Sequence, residues 1–181
     1  MSEPPGDFDP IAEFARAYRA ELAVGSTRAR DPESLGQQIS EAQTWAWASV
    51  GAINRGDRAR AAEAVRRLLR DDESTMVAVE VLTGILLSGV PREALSSTAR
   101  FPVSPDEDQR PAVRSAADLL TGVARSDGQL VTSVLRDLSG GHGADVLLVL
   151  ARAAAARIEW FAGLDGDTVD AYYQVIRGLA D

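Results

Sequence analysis

Side chains that could support catalysis or bind a metal are few in this chain of 181 residues. It contains no cysteine and no lysine, and its single histidine, His142, lies within Gly140-Gly141-His142-Gly143. Covalent catalysis by a thiolate or a lysine amine is therefore excluded, and a metal site would depend on carboxylates with at most one imidazole. We predict a protein that is not an enzyme, with no catalytic residue, no metal ligand and no cofactor.

His142 and Asp145 are the one pair whose spacing suits acid–base chemistry, because residues three apart meet at the start of a helix. The alternative is that the glycines form a turn, Asp145 complements the helix dipole and His142 lies in solvent. No serine nucleophile or second histidine is near in sequence, so we favour the alternative. An enzyme of this sequence would use Glu159 or Asp145 with a recruited metal, and no spacing marks such a site.

Composition narrows the classes of partner. The formal net charge is −8 and the isoelectric point about 4.7, which opposes sequence-independent binding to nucleic acid or anionic lipid. The first residues lack the basic start and apolar core of a signal peptide, and the longest apolar run, Val146 to Ala156, is too short to span a membrane. We predict a cytoplasmic protein that binds neither nucleic acid nor membrane.

The pattern of apolar residues predicts an all-α fold. Apolar side chains recur at helical spacing, and no segment alternates as a half-buried strand would. Asp9-Pro10 and Asp31-Pro32 each place a capping carboxylate before a proline that suits the first helical position. We expect eight or nine helices in antiparallel αα-hairpins, with helices near 9–24, 32–54, 57–70, 73–88, 91–99, 111–126, 129–138, 143–162 and 167–180.

The chain is long enough to form one domain, residues 1–181, without a disulfide or a metal. The best candidate for an internal seam is the segment 101–111. It holds Pro102, Pro105 and Pro111 around three consecutive acidic residues, and Pro111 would break a helix that began at Ser104.

A repeat spacing is visible in the first half of the chain. Gly51, Gly56 and Ala61 are matched 33 residues later by Gly84, Gly89 and Ala94, and both copies indicate helix, tight turn, helix. Helix pairs with periods near 33–47 residues are typical of solenoid repeats, which stack to bury their apolar faces. An irregular bundle of short antiparallel helices is the alternative, because two helices and two turns also take about 35 residues.

Residues 47–70 resemble a tetratricopeptide unit. The residues that carry this resemblance are Trp47, Val50, Gly51, Gly56, Asp57, Ala61, Val65 and Leu68, with two residues fewer than the family pattern before the turn. The resemblance implies a helix-turn-helix unit that stacks on its neighbours.

The most basic segment, 55–70, carries six arginines against two carboxylates and follows two tryptophans. Trp45 and Trp47 are about 200° apart around a helix, so they cannot both face the same core. Tryptophan and arginine are enriched at interaction hot spots. We predict partner contacts by Trp45, Trp47, Arg58, Arg60 and Arg67. The alternatives are that both tryptophans pack between helices and that the arginines form the solvated face of an amphipathic helix.

These features favour a non-enzymatic helical module that binds a partner protein or associates with its own copy. The alternative function is a ligand-binding or regulatory domain that encloses a small apolar molecule, in a cavity bordered by Trp160, Tyr172 and the run from Val146 to Leu150. A sequence-specific DNA reader is disfavoured, because the chain is acidic and neither terminus carries a basic recognition helix.

Overall fold

The computed structural model describes residues 32–88 and 110–165, and within these ranges the chain is helical with no strand. The described residues form six α-helices: Pro32–Asn54 (α1), Arg58–Leu68 (α2), Asp72–Leu87 (α3), Pro111–Arg125 (α4), Gly128–Asp137 (α5) and Gly143–Asp165 (α6). Short turns connect α1 to α2, α2 to α3 and α4 to α5, and the connection between α3 and α4 lies outside the described residues. The all-α prediction is confirmed for this part of the chain. The helices predicted near 9–24, 91–99 and 167–180, and almost all of the segment 101–111, lie outside the described residues.

Local sequence explains where these helices begin. Pro32 and Pro111 are the first residues of α1 and α4, a position where the missing N–H of proline removes no helical hydrogen bond. The carboxylates of Asp57, Asp71 and Asp127 accept bonds from the backbone N–H three residues later and so cap α2, α3 and α5. Each observed boundary therefore lies within about three residues of its predicted position.

The turns of the α1–α2 and α4–α5 hairpins are built in the same way. In the first, Gly56 has a φ of +73° and the N–H of Asp57 donates to the carbonyl of Ala52 at 2.9 Å. In the second, Ser126 has a φ of +56° and the N–H of Asp127 donates to the carbonyl of Gly122 at 2.8 Å. Both are Schellman motifs in which the residue after the left-handed position also caps the next helix.

The two hairpins also bury equivalent positions, 70 residues apart. The inner face of α2 buries Ala61, Ala64, Val65 and Leu68, and the corresponding face that begins in α5 buries Val131, Val134, Leu135 and Leu138. In the sequence, Arg55, Asp57, Arg66 and Leu68 recur 70 residues later as Arg125, Asp127, Arg136 and Leu138. The tetratricopeptide resemblance and a stacked repeat remain predictions.

Helix α6 is the centre of the described bundle, because it packs against α1, α2, α3 and α4. Its start lies beside the end of α2, where a Cβ on Gly143 would come within 2.9 Å of Leu69 Cδ2. Further along, Arg157 Nη2 donates to the carbonyl of Ser88 at 3.1 Å, at the end of α3. Leu69 lies just before the first residue of α3, and Ser88 lies just after its last residue. The start of α6 is therefore beside the start of α3 and its later part is beside the end of α3, so the two helices run in the same direction. A π-type turn, Leu138–His142, precedes α6 and is kinked at Gly141, whose φ is +105°.

Asp71, in the turn between α2 and α3, bonds to residues of α1 and α3. One carboxylate oxygen accepts the N–H of Ser74 at 2.8 Å and Nε2 of Gln38 in α1 at 2.8 Å. The other oxygen accepts the Ser74 hydroxyl at 3.0 Å. Asp71 thus caps α3 and also attaches its first turn to α1.

Asp71→Ala is expected to lower the free energy of unfolding by about 2–3 kcal/mol, since it removes a helix cap and a hydrogen bond between helices. Asp57→Ala and Asp127→Ala are the matched controls. Each removes one capping bond at an exposed position and should cost about 1 kcal/mol. Urea unfolding followed by circular dichroism measures all three variants. Equal losses would show that the bond from Gln38 contributes nothing.

Candidate interaction surface

Trp45 and Trp47 lie on opposite flanks of the buried stripe of α1. Ala42, Ala46 and Val50 form the centre of this stripe and are buried in the core. Each tryptophan is about 100° from Ala46, and both are half-buried against the edge of the core. The prediction that the two tryptophans cannot both face the same core is wrong, because both pack against it, one from each flank, and each residue is partly exposed.

The structure brings together two predicted contact residues, Trp45 and Arg67. The guanidinium carbon of Arg67, in α2, lies 4.3 Å from the centre of the Trp45 ring. On the α1 side, Nε1 of Trp45 donates to Oε1 of Glu41 at 3.2 Å. A cation over an indole face is attracted by the ring quadrupole, so this contact orders both side chains at the surface.

Glu63 fixes the position of Arg67. Oε1 of Glu63 accepts Nε of Arg67 at 3.0 Å, and Oε2 lies 2.7 Å from Nη1 of Arg66. The hydrogen bond from Arg67, followed by the charge of Arg66, lowers the pKa of the Glu63 carboxyl below 4.5. These groups are exposed enough for solvent to screen them, with 35% of the Arg67 side chain and 68% of the Arg66 side chain accessible.

The lowered pKa predicts how Glu63 affects stability at different pH values. A carboxyl whose pKa is lower in the folded chain stabilises the fold above its unfolded pKa and loses that effect as the pH falls through the folded value. The difference in unfolding free energy between the wild type and Glu63→Gln should be constant from about pH 6 to 8 and should shrink below 4.5. Urea unfolding at a series of pH values measures it. A difference that shrinks between pH 6 and 8 would contradict the lowered pKa.

Arg60 lies on the same flank of α2 as Arg67, because the two are seven residues, or about two turns, apart. That flank faces α1, as the Arg67–Trp45 contact shows. Arg60 is exposed, and Ala48 of α1 is half-buried. Along the axis of the antiparallel hairpin, Ala48 lies between the positions of the two arginines. We call Trp45, Ala48, Arg60 and Arg67 the α1–α2 surface.

Arg58 is exposed in the first turn of α2, on a different flank from Arg60 and Arg67. Trp47 lies on the flank of α1 opposite to Trp45. The structure therefore joins Trp45, Arg60 and Arg67 in one surface and places Trp47 and Arg58 outside it.

The contact between Trp45 and Arg67 was not predicted from the sequence, although a signal for it exists. Residues equally distant from the turn of an antiparallel hairpin lie side by side. Trp45 and Arg67 are equally distant in sequence from Gly56, the left-handed residue of the turn. Glu41 was also not predicted as the acceptor for Trp45, although the two residues are four apart on one helix.

The other groups that could carry chemistry lie apart from this surface. His142, Asp145 and Glu159 are exposed, and in the described ranges no three histidine or acidic side chains come together as a metal site. Within the predicted ligand-cavity border, Val146, Leu147 and Leu150 are buried in the core. Tyr172 and the side chain of Trp160 lie outside what the structure describes.

Comparison with known proteins finds no matching family model, curated protein or solved structure. Among the helices described, none has both the length and the hydropathy to cross a membrane.

Proposed function

We propose that this chain is a non-enzymatic helical interaction module that binds a protein partner through the α1–α2 surface. The observation that supports this proposal best is the half-exposed Trp45 ring covered by the guanidinium of Arg67. Tryptophan and arginine are the residue types most enriched among side chains that dominate binding energy.

Order in the free protein is a second argument. Glu63 holds Arg67, and Glu41 accepts a hydrogen bond from Trp45, so both side chains have a defined position before a partner arrives. Immobilising a long side chain at an interface costs about 0.5–1.5 kcal/mol, and side chains already fixed avoid part of this cost. The surface is therefore better prepared for binding than an equal number of solvated arginines.

The first experiment measures self-association by light scattering over a concentration series, with the wild type, Trp45→Ala and Trp47→Ala. If the partner is a second copy bound through the α1–α2 surface, the wild type forms a dimer that Trp45→Ala weakens by about tenfold or more. Trp47→Ala, on the opposite flank, is the matched control and should have a smaller effect. Circular dichroism establishes that both variants keep their helical content.

Two outcomes would count against this use of the surface. A dimer that Trp45→Ala leaves unchanged would mean that another face mediates association. A strict monomer would exclude a second copy as the partner. The proposal would then be tested by selecting peptides that bind the chain and measuring their binding to the same variants. If no selected peptide loses binding on Trp45→Ala, the α1–α2 surface is not an interaction site.

A further inference from the structure

We infer that the partner bound by the α1–α2 surface is a second copy of this chain, related to the first by a two-fold axis that passes close to Ala48. This inference rests on the proposed function. It adds the identity of the partner and the side chains that meet across the interface.

Two carboxylates lie among the residues of the α1–α2 surface. Glu41 is one turn before Trp45 in α1 and accepts the hydrogen bond from its indole. Glu63 lies in α2 between Arg60 and Arg67 and accepts the hydrogen bond from Arg67. The surface therefore presents acidic and basic groups in equal number rather than an excess of one charge.

The four charges alternate in sign along the hairpin. In an antiparallel hairpin, the distance of a residue from the turn in the sequence gives its position along the axis, as the contact between Trp45 and Arg67 shows. Counted from Gly56, the charged residues lie 15, 11, 7 and 4 positions away, in the order Glu41, Arg67, Glu63 and Arg60. Neighbouring charges are therefore about 4.5–6 Å apart along the axis, in the order negative, positive, negative, positive.

This order is complementary to itself. A two-fold axis perpendicular to the surface reverses the direction of the second hairpin, so the charges of that hairpin run in the opposite order. With the axis about nine positions from Gly56, Glu41 faces Arg60 of the second copy and Arg67 faces Glu63 of the second copy. Every charge then meets one of opposite sign, and the symmetry forms each pair twice.

The groups that meet have bonding capacity left in the free chain. Glu41 accepts the indole N–H through Oε1, which leaves Oε2 for a guanidinium. Arg60 is exposed, and among the described residues no carboxylate pairs with its guanidinium. The side chains of Glu63 and Arg67 are 40% and 35% accessible, so both copies contribute them to one network of four charges at the axis.

The residue nearest to the axis is small. Ala48 lies eight positions from Gly56 and is half-buried, so the two hairpins can approach closely at this point. The accessible part of Trp45, one turn away, adds apolar area to the contact. Arg66 and Arg70 lie further around α2, away from α1, which places them at the edge of the interface.

A partner of one charge sign fits this surface less well. An acidic segment or a nucleic acid would approach Glu41 and Glu63 as well as the arginines, and a basic segment would approach Arg60 and Arg67. Like charges brought together oppose association. A second copy supplies charges of alternating sign at the matching spacing.

The first test is cross-linking through a single introduced thiol, which is specific because the chain contains no cysteine. Ala48→Cys is oxidised with diamide at a concentration where light scattering shows the dimer, and a non-reducing gel measures the linked product. Most of the chains should be linked, because the axis brings the two thiols within disulfide reach. Ala59→Cys is the matched control. It replaces an exposed alanine three positions from Gly56, so the two thiols would be about 18 Å apart along the hairpin.

The second test exchanges charges. Arg60→Glu and Glu41→Arg should each weaken the dimer by about tenfold or more, because each brings like charges together in both equivalent contacts. The double variant, and an equimolar mixture of the two single variants, should recover most of the affinity, since every pair again has opposite signs. Arg136→Glu, at an exposed arginine of α5, changes the net charge as Arg60→Glu does and should weaken the dimer by less than about threefold. Light scattering over a concentration series measures all of these.

The possible failures are distinguishable. A wild type that stays monomeric would overturn the inference, and Trp45-dependent binding of selected peptides would then keep the proposed function. A dimer that Trp45→Ala weakens would also overturn it if Ala48→Cys is linked no more than Ala59→Cys, or if the charge exchange restores nothing. The proposed function would stand in that case, with a different arrangement of the copies. Failure of the proposed function itself would appear as association and peptide binding that are both indifferent to Trp45→Ala.

Discussion

Leu147→Ala is expected to lower the free energy of unfolding by about 2–5 kcal/mol, the largest effect of any single change considered for this chain. Leu147 is fully buried in α6, the helix that contacts α1, α2, α3 and α4. Removing its side chain leaves a cavity among elements that are each held by other contacts, so the surroundings cannot collapse without cost.

Leu148→Ala is the matched control for this prediction. It deletes the same atoms one residue later, from a position only partly buried against the core. We expect less than half of the effect of Leu147→Ala, since part of the side chain is already in contact with water. Urea unfolding followed by circular dichroism compares the two variants. Equal losses would mean that α6 does not bury the face assigned to it.

Gly122→Ala should lower the free energy of unfolding by about 1–3 kcal/mol, although alanine favours a helix over glycine by about 1 kcal/mol. A Cβ at Gly122 would lie 2.6 Å from Cγ2 of Val131, a distance that the stiff valine cannot relieve by rotation alone. Gly36→Ala is the control, because nothing lies within 4 Å of a Cβ there, and it should stabilise the chain by up to about 1 kcal/mol.

The first hairpin indicates how the clash can be relieved. Positions 122 and 131 of the second hairpin correspond to Ala52 and Ala61 of the first, both buried. In the first hairpin, the methyl groups of these two alanines fill the space that the valine side chain fills beside glycine in the second hairpin. Gly122→Ala/Val131→Ala should therefore be more stable than Gly122→Ala alone. A double variant no more stable than Gly122→Ala would show that the two hairpins pack differently.

The sequence was informative about features that depend on neighbours along the chain. The helix starts at Pro32 and Pro111 and the turn at Gly56 all involve residues within about four positions of each other. Such signals are local, since a cap or a helical pair is decided by backbone geometry that one segment forms by itself.

Features that depend on two distant segments were not predicted. The bond from Gln38 to Asp71 and the close approach at Gly143 need the relative placement of helices, which periodicity does not encode. The candidate site illustrates both cases. Its tryptophans and arginines were identified by residue type. That Trp45 and Trp47 lie on opposite flanks of α1, and Arg60 and Arg58 on different flanks of α2, became clear only from the packing of the two helices in the hairpin.

The central position of α6 has a consequence for biosynthesis. Ala46 in α1 and Leu150 in α6 belong to the same core, yet they are roughly 100 residues apart in the chain. At a translation rate of about 5–20 residues per second, roughly 5–20 seconds pass between the synthesis of the first hairpin and that of α6, and until then α6 cannot cover the inner face of the hairpin. During that interval the part of this face that α6 covers, rather than α3, is accessible to chaperones and to other nascent chains. The vulnerable stage for the protein is therefore its synthesis, before the helix that covers both hairpins has emerged.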